Sequence, residues 1–173
     1  MLVAGLICRH DRPHDVIIAR LVQEFGPVAD TTPPFPFDFT GYYATEMGTN
    51  LVRVFIAFER MVPPDTLADL KLRTNAMEEE YLDGTARTVN IDPGLLTSHN
   101  LVLATCKAFS HRIYLRDGIY AHLALIARKG GFDSLPWTYP DYRLPATLAF
   151  FNTQRDRFSA LRRARALEEK NEN

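Results

Sequence analysis

Leu51-Val-Arg-Val-Phe-Ile-Ala-Phe-Glu59 decides the fold. Val52, Val54, Ile56 and Phe58 face one way, and Arg53, Phe55, Ala57 and Glu59 face the other, the period of two that a strand imposes on its side chains. Downstream, Pro63-Pro-Asp65 opens a helix running to about Leu82, with Asp65 near its positive end and Leu67, Leu70, Thr74, Met77 and Tyr81 on its apolar stripe. Thr88 to Asp92 follows as a strand, ended by Pro93-Gly94. Upstream, Leu2 to Cys8 reads as a buried first strand. His14 to Phe25 reads as a helix with Ile17, Leu21 and Phe25 on one stripe, stopped by Gly26-Pro27. Thr31 to Gly48 is rich in proline and aromatics, with Phe37-Asp38-Phe39 as a brief edge-strand candidate. Thr97 to Ala108 fits two patterns: Thr97 or Ser98 suits a helix N-cap, and Leu101-Val-Leu103 suits a buried strand. A helix is the expectation there. Ile113 to Leu115 and Ile119 to Ala127 pair as a hairpin around Arg116-Asp-Gly118. Pro145 starts a helix reaching about Leu167. The order predicts an α+β fold, a ferredoxin-like βαββαβ core extended by an additional helix, a β-hairpin and a C-terminal helix. Residues 1–167 form a single domain in this reading, and 168–173 a polar tail expected to fray.

The 173-residue chain has a 46% hydrophobic and 24% charged composition, which suits a globular protein rather than a disordered one. A formal net charge of -1 leaves no global basic field, so nucleic acid is not the expected partner. No apolar run has the span of a membrane helix. The apolar start lacks a basic leader, and Cys8 and Cys106 read as reduced, buried thiols of a cytoplasmic protein rather than a disulfide framework.

Chemistry concentrates in Lys107-Ala-Phe-Ser-His-Arg112, immediately ahead of the hairpin. Lys107 and Arg112 suit a phosphate or carboxylate, the arginine through its fork. His111 can move a proton near neutral pH. Asn90 and Asp92 project from one face of their strand and meet this group if that strand lies beside the hairpin. The structural alternative is an Arg112–Asp92 ion pair with His111 as a hydrogen-bonded core residue. Lys71, Asn75, Glu78 and Leu82 form one stripe beside the apolar face of their helix. There Lys71 and Asn75 face a ligand while Glu78 binds a metal or sets the lysine's charge, or Lys71 simply pairs along its own helix. The aromatic loops, Phe35 to Tyr43 and Trp137 to Tyr142, suit stacking of a planar ring. Closing the open end of a core is the preferred reading for them.

Other constellations read more plainly. Ser110 beside His111 is not a triad, because neighbours on a strand point apart. Cys106 lies in an apolar run and reads as inert packing. His10 and His14 read as a solvated helix start, with Pro13 interrupting their register. Arg155, Arg157, Arg162, Arg163 and Arg165 read as a wet helix face, with RNA or an acidic partner as the alternative.

Six motifs in order, Phe35-Pro-Phe-Asp-Phe-Thr-Gly-Tyr-Tyr43, Glu46-Met-Gly48, Lys71-Leu-Arg-Thr-Asn75, Val89-Asn-Ile-Asp-Pro-Gly94, Phe109-Ser-His-Arg-Ile-Tyr-Leu115 and Pro136-Trp-Thr-Tyr-Pro-Asp-Tyr142, resemble those of the bacterial domain-of-unknown-function family 4416. The resemblance covers nearly the whole chain. Some members of that family carry a GTP-binding label, but this chain has no Gly-x-x-x-x-Gly-Lys-Ser/Thr loop. The acids within these motifs, Asp38, Glu46, Glu78 and Asp92, are of the oxygen-ligand type that Mg²⁺ takes.

The leading expectation is a small cytoplasmic enzyme, or enzyme-like protein, acting on a phosphorylated or carboxylated small molecule, nucleotides included. Lys71, Lys107 and Arg112 hold the anion, with Asn75 and Asn90 adding ligand contacts. His111 is the general acid or base, and Asp92 orients it or binds a metal. Asp38, Glu46 and Glu78 are the candidate Mg²⁺ ligands. The competing classes are a non-catalytic ligand-binding or protein-interaction module and an RNA-associated protein.

Overall fold

The computed structural model describes residues 1–171. Its elements are β1 (Leu2–Arg9), α1 (His14–Phe25), β2 (Val28–Thr31), β3 (Phe35–Phe37), α2 (Ala44–Met47), β4 (Leu51–Phe58), α3 (Leu67–Glu79), β5 (Val89–Leu96), β6 (Asn100–Thr105), β7 (Ile113–Arg116), β8 (Ile119–Arg128), β9 (Gly131–Ser134) and α4 (Pro145–Asn171). Short 3₁₀ turns occupy Pro64–Thr66 and Pro140–Arg143. The nine strands form one sheet, ordered β2-β4-β1-β5-β6-β8-β7, with β3 beside β4 and β9 beside β8. Neighbouring strands are antiparallel throughout.

Both faces of the sheet are covered, as the two-sided pattern of β4 requires. Val54, Ile56 and Phe58 pack with Leu2, Ala4, Leu6 and Ile91 under α1 and α3, whose buried stripes carry Ile17, Leu21, Phe25, Leu67, Leu70 and Met77. Phe55 and Ala57 point the other way, into a second core with Val3, Tyr142, Phe150, Phe151 and Phe158 from the α4 side. A smaller cluster of Ile7, Phe37, Met47 and Leu51 seats the first aromatic loop on that second face. The Asp117-Gly118 turn of the β7–β8 hairpin has φ of 52° and 73°, the left-handed pair of a type I′ turn. No helix among the described residues is long and apolar enough to cross a membrane.

Three expectations are corrected. The additional helix over Thr97 to Ala108 is strand β6, paired on one side with β5 and on the other with β8. Thr97 does cap a turn, but a hairpin turn: its Oγ1 accepts the N–H groups of His99 and Asn100 at 3.0 and 3.1 Å. The terminal helix continues past Leu167 to Asn171, while Glu172 and Asn173 of the expected tail lie outside the described residues. Finally, β5 does not end at Pro93-Gly94 but runs through them to Leu96.

That last point shapes the molecule. Alternate residues of a strand aim their N–H and C=O groups at alternate neighbours. Leu96 bonds Met1 on the β1 side, its N–H reaching the Met1 carbonyl at 3.0 Å, so Ile91 and Pro93 face the β6 side. Proline has no N–H to give a neighbour there. Pairing of β5 with β6 accordingly covers Gly94 to Leu96 and stops, and the sheet opens below Pro93.

Leu21 is fully buried beneath α1. Leu21→Ala is expected to destabilise the fold by about 2–5 kcal/mol, read as a lower urea midpoint at unchanged slope.

Candidate functional site

The opening between β5 and β6 exposes the edge of β5 at Ile91, and α3 supplies what a neighbouring strand would have supplied. Glu78 Oε1 accepts the Ile91 N–H at 2.8 Å, and Lys71 Nζ donates to the Ile91 carbonyl at 2.7 Å. Lys71 also meets Asp92 Oδ1 at 3.1 Å and Glu78 Oε1 at 3.5 Å. Arg87 Nη1 donates to Glu78 Oε2 at 3.1 Å, and its Nε and Nη2 fork onto the two oxygens of Glu46 at 2.6 and 2.7 Å. Asn90 accepts from Arg87 Nη1 at 3.3 Å and donates to Asp92 Oδ2 at 2.8 Å.

These contacts set the charges. Burial alone would lower the Lys71 pKa, but Asp92 and Glu78 outweigh it and hold the ammonium above its ordinary value. Burial would raise the Asp92 carboxyl, yet Lys71 and Arg53 keep it below the usual carboxylate range. For Glu78 burial wins: its pKa is raised, with Lys71, the Ile91 N–H and Arg87 offsetting only part of the desolvation.

Two cavities lie along the opening. The inner one, of about 70 Å³, is walled by Lys71, Asn75, Asn90 and Asp92 on one side and by Cys106 and Lys107 on the other. The outer one, of about 380 Å³, is walled by Phe37, Phe39, Tyr42, Arg53, Arg112 and Asp141. Lys107 and Tyr139 belong to both walls, which makes the two one cleft. Lys107 Nζ stands 3.5 Å over the Tyr42 ring. Arg112 donates from Nη1 to the Lys107 carbonyl at 2.8 Å and from Nη2 to Tyr139 Oη at 2.6 Å. Neither cation has a carboxylate partner among the described residues. Arg53 is buried, with Asp141 Oδ2 2.9 Å from its Nη2 and its charge over the Phe55 ring at 4.4 Å.

The cleft therefore gathers Lys71, Asn75, Asn90, Asp92, Lys107 and Arg112 from three separate stretches of sequence. His111 stands apart from the walls of both cavities. Its Nε2 lies 3.1 Å from His122 Nδ1, and its ring stacks on Trp137 with centroids 5.0 Å apart. His122 in turn stacks on Tyr139, which links this aromatic stack to the cleft. Arg112 does not pair with Asp92. Glu46 and Glu78 do approach each other, but around the Arg87 guanidinium, and Asp38 is exposed outside both cavity walls. No group of three or more His, Cys, Asp or Glu side chains among the described residues is placed to hold a metal ion.

Cys8 is buried as expected, and burial, then Asp11, pushes its thiol up to about 11. Cys106 is a correction: it is exposed at the inner cavity, where Asn75 Nδ2 donates to its sulfur at 3.3 Å. Arg53 and Arg87 were not among the expected site residues, while Tyr139 and Asp141 lie in the Trp137 to Tyr142 aromatic loop. Arg53 had a signal, since it is a charged residue in the middle of a strand face that also carries Phe55 and Ala57. A larger hollow, about 1030 Å³, lies elsewhere, between the β1–α1 turn and the start of β4. Its acids are already engaged: Asp11 pairs with Arg9 at 2.6 Å, and Asp15 faces His14 at 3.2 Å.

The family model described as Domain of unknown function (DUF4416) matches residues 1–158, and the chain belongs to that family. No curated protein and no solved structure matched the chain.

Glu78→Ala removes the acceptor for Ile91 and leaves Lys71 and Arg87 each short of a partner. It is expected to cost about 3–5 kcal/mol in urea unfolding, with Glu78→Gln costing less because an oxygen remains for Ile91. A pH effect comes from His122, whose imidazole is lowered to about 4 by burial and then by Arg112 and His111. The unfolded chain takes up that proton near pH 6.5, the folded chain only near 4, so stability falls as pH drops through this window. The urea midpoint of the wild type should decline from pH 6.5 to 4, and His122→Phe should flatten that decline.

Proposed function

We propose that this family member binds a small anionic molecule, phosphorylated or carboxylated, in the cleft where the sheet opens between β5 and β6. One observation carries the reading. Five cations line the cleft, and three are matched: Lys71 by Asp92 and Glu78, Arg87 by Glu46 and Glu78, and Arg53 by Asp141. Lys107 and Arg112 are unmatched, and both face the outer cavity. Two cations without a carboxylate in contact, focused in a partly enclosed space, attract an anion and hold it against water. The aromatic walls, Phe37, Phe39, Tyr42 and Tyr139, suit a flat body attached to that anion.

The reading rests on binding. Proton transfer by His111 is not part of it, because His111 reaches the cleft only through His122 and Tyr139. The scaffold we propose beneath the cleft is ferredoxin-like. The order β2-β4-β1-β5, with α1 following β1 and α3 following β4 on a shared face, supports that reading.

Thermal-shift measurements against inorganic phosphate, nucleoside monophosphates, sugar phosphates and small carboxylates, with and without Mg²⁺, test the proposal. At least one anion class should raise Tm. Lys107→Ala and Arg112→Ala should each weaken that ligand about tenfold or more, with little change in the Tm of the free protein, because each loses one charge-assisted contact. A flat response across the panel, or a response indifferent to both substitutions, would overturn it.

A further inference from the structure

Arg53 has donors left over. Its Nε and Nη1 are buried and have no hydrogen-bond partner among the described residues, and its contact with Asp141 falls short of an aligned hydrogen bond. Buried guanidinium donors are expensive to leave unmade. The group is also held in place: its charge lies 4.4 Å from the Phe55 ring centre and 5.2 Å from that of Tyr142. Gly5 of β1 lies beside Nη2. A Cβ at that position would stand 2.8 Å from Arg53 Nη2 and 2.9 Å from Tyr142 Oη, so the absence of a side chain there leaves the guanidinium its room.

We infer that the outer cavity is a site for an aryl carboxylate, a planar ring bearing one carboxylate, with Arg53 as its inner anchor and Lys107 and Arg112 at its mouth. This rests on the anion-binding reading above and narrows it to a class. Three features favour that class over a nucleotide or sugar phosphate. Asp141 occupies one side of Arg53, which leaves the inner end suited to a single negative charge rather than a phosphate dianion. The walls are mainly apolar, through Ile7, Phe37, Phe39 and Pro140, with hydroxyls only from Thr40, Tyr42 and Tyr139, which gives a ring good contact and a ribose or sugar few hydrogen bonds. The volume, about 380 Å³, is at the small end for ligand sites and fits one or two fused rings.

Isothermal titration of the full chain with benzoate, 4-hydroxybenzoate and indole-3-carboxylate tests this, against benzamide, adenosine monophosphate and inorganic phosphate. An aryl carboxylate should bind, and benzamide should bind at least tenfold more weakly, a comparison that needs no variant. Arg53→Lys keeps the charge but loses the planar group, and Gly5→Ala displaces the guanidinium without touching Lys107 or Arg112. Each should weaken the aryl carboxylate tenfold or more in protein whose circular dichroism is unchanged. Binding of phosphate or adenosine monophosphate without any aryl carboxylate would overturn the class while leaving the anion-binding reading standing. Equal binding of benzoate and benzamide, or affinity unmoved by both variants, would overturn Arg53 as the anchor. Binding of no anion at all would overturn both readings.

Discussion

Everything at the cleft follows from an unpaired stretch of strand inside a sheet. Pro93 faces β6 and has no N–H, so β6 cannot continue its ladder, and the Ile91 amide is left facing the gap. A buried backbone group without a partner costs about 1–3 kcal/mol. The fold meets that cost with two side chains of α3, Glu78 accepting and Lys71 donating at 2.8 and 2.7 Å. Charged groups do this work because they reach farther than a backbone can. Their use brings a second requirement, since each ion taken out of water must be matched. Asp92 and Arg87 match them, and Glu46 and Asn90 match those in turn. A gap of a few residues in one ladder thus generates a network of six polar side chains.

The network explains why the cleft is electrostatically asymmetric. Its inner half is neutralised internally, because those charges answer a structural need. Its outer half is neutralised only at Arg53, by Asp141. Lys107 and Arg112 come from the segment between β6 and β7, which has no edge to heal, and their contacts are aromatic rings, a carbonyl and a hydroxyl. Such partners position a cation without cancelling its field. Charge that the protein itself does not use is the kind available to a ligand.

The sequence exposed the parts that local physics decides. The alternation of Leu51 to Glu59 gave both faces of β4, and the Asp117-Gly118 pair gave the hairpin turn. The stripe containing Lys71, Asn75 and Glu78 was visible from helical spacing, and Lys71 and Asn75 do line the cleft, while Glu78 bonds the Ile91 N–H. What failed were signals with two meanings. A threonine ahead of an apolar run caps a helix or a turn with the same hydroxyl, and pairing with β5 and β8 decided for the turn at Thr97. A proline interrupts pairing only on the side its missing N–H faces, and at Pro93 that is the β6 side, so β5 continues along β1. The roles of Arg53 and Arg87 were illegible because their partners, Asp141 and Glu46, lie far off in sequence on a 3₁₀ turn and a short helix that only the folded chain brings to them.

The aromatic loops show why a structural and a functional reading need not compete. Phe37 packs with Ile7, Met47 and Leu51 as part of a core cluster, and the same ring lies 5.8 Å from the Arg53 charge and walls the outer cavity. Tyr139 stacks on His122, receives the Arg112 hydrogen bond and lines both cavities. These residues close the open end of the sheet, as proline-aromatic loops commonly do. In closing it they also exclude water from Arg53, and a cation in a drier place binds an anion more strongly. The packing that stabilises the loops is then the same packing that would give the cleft its affinity.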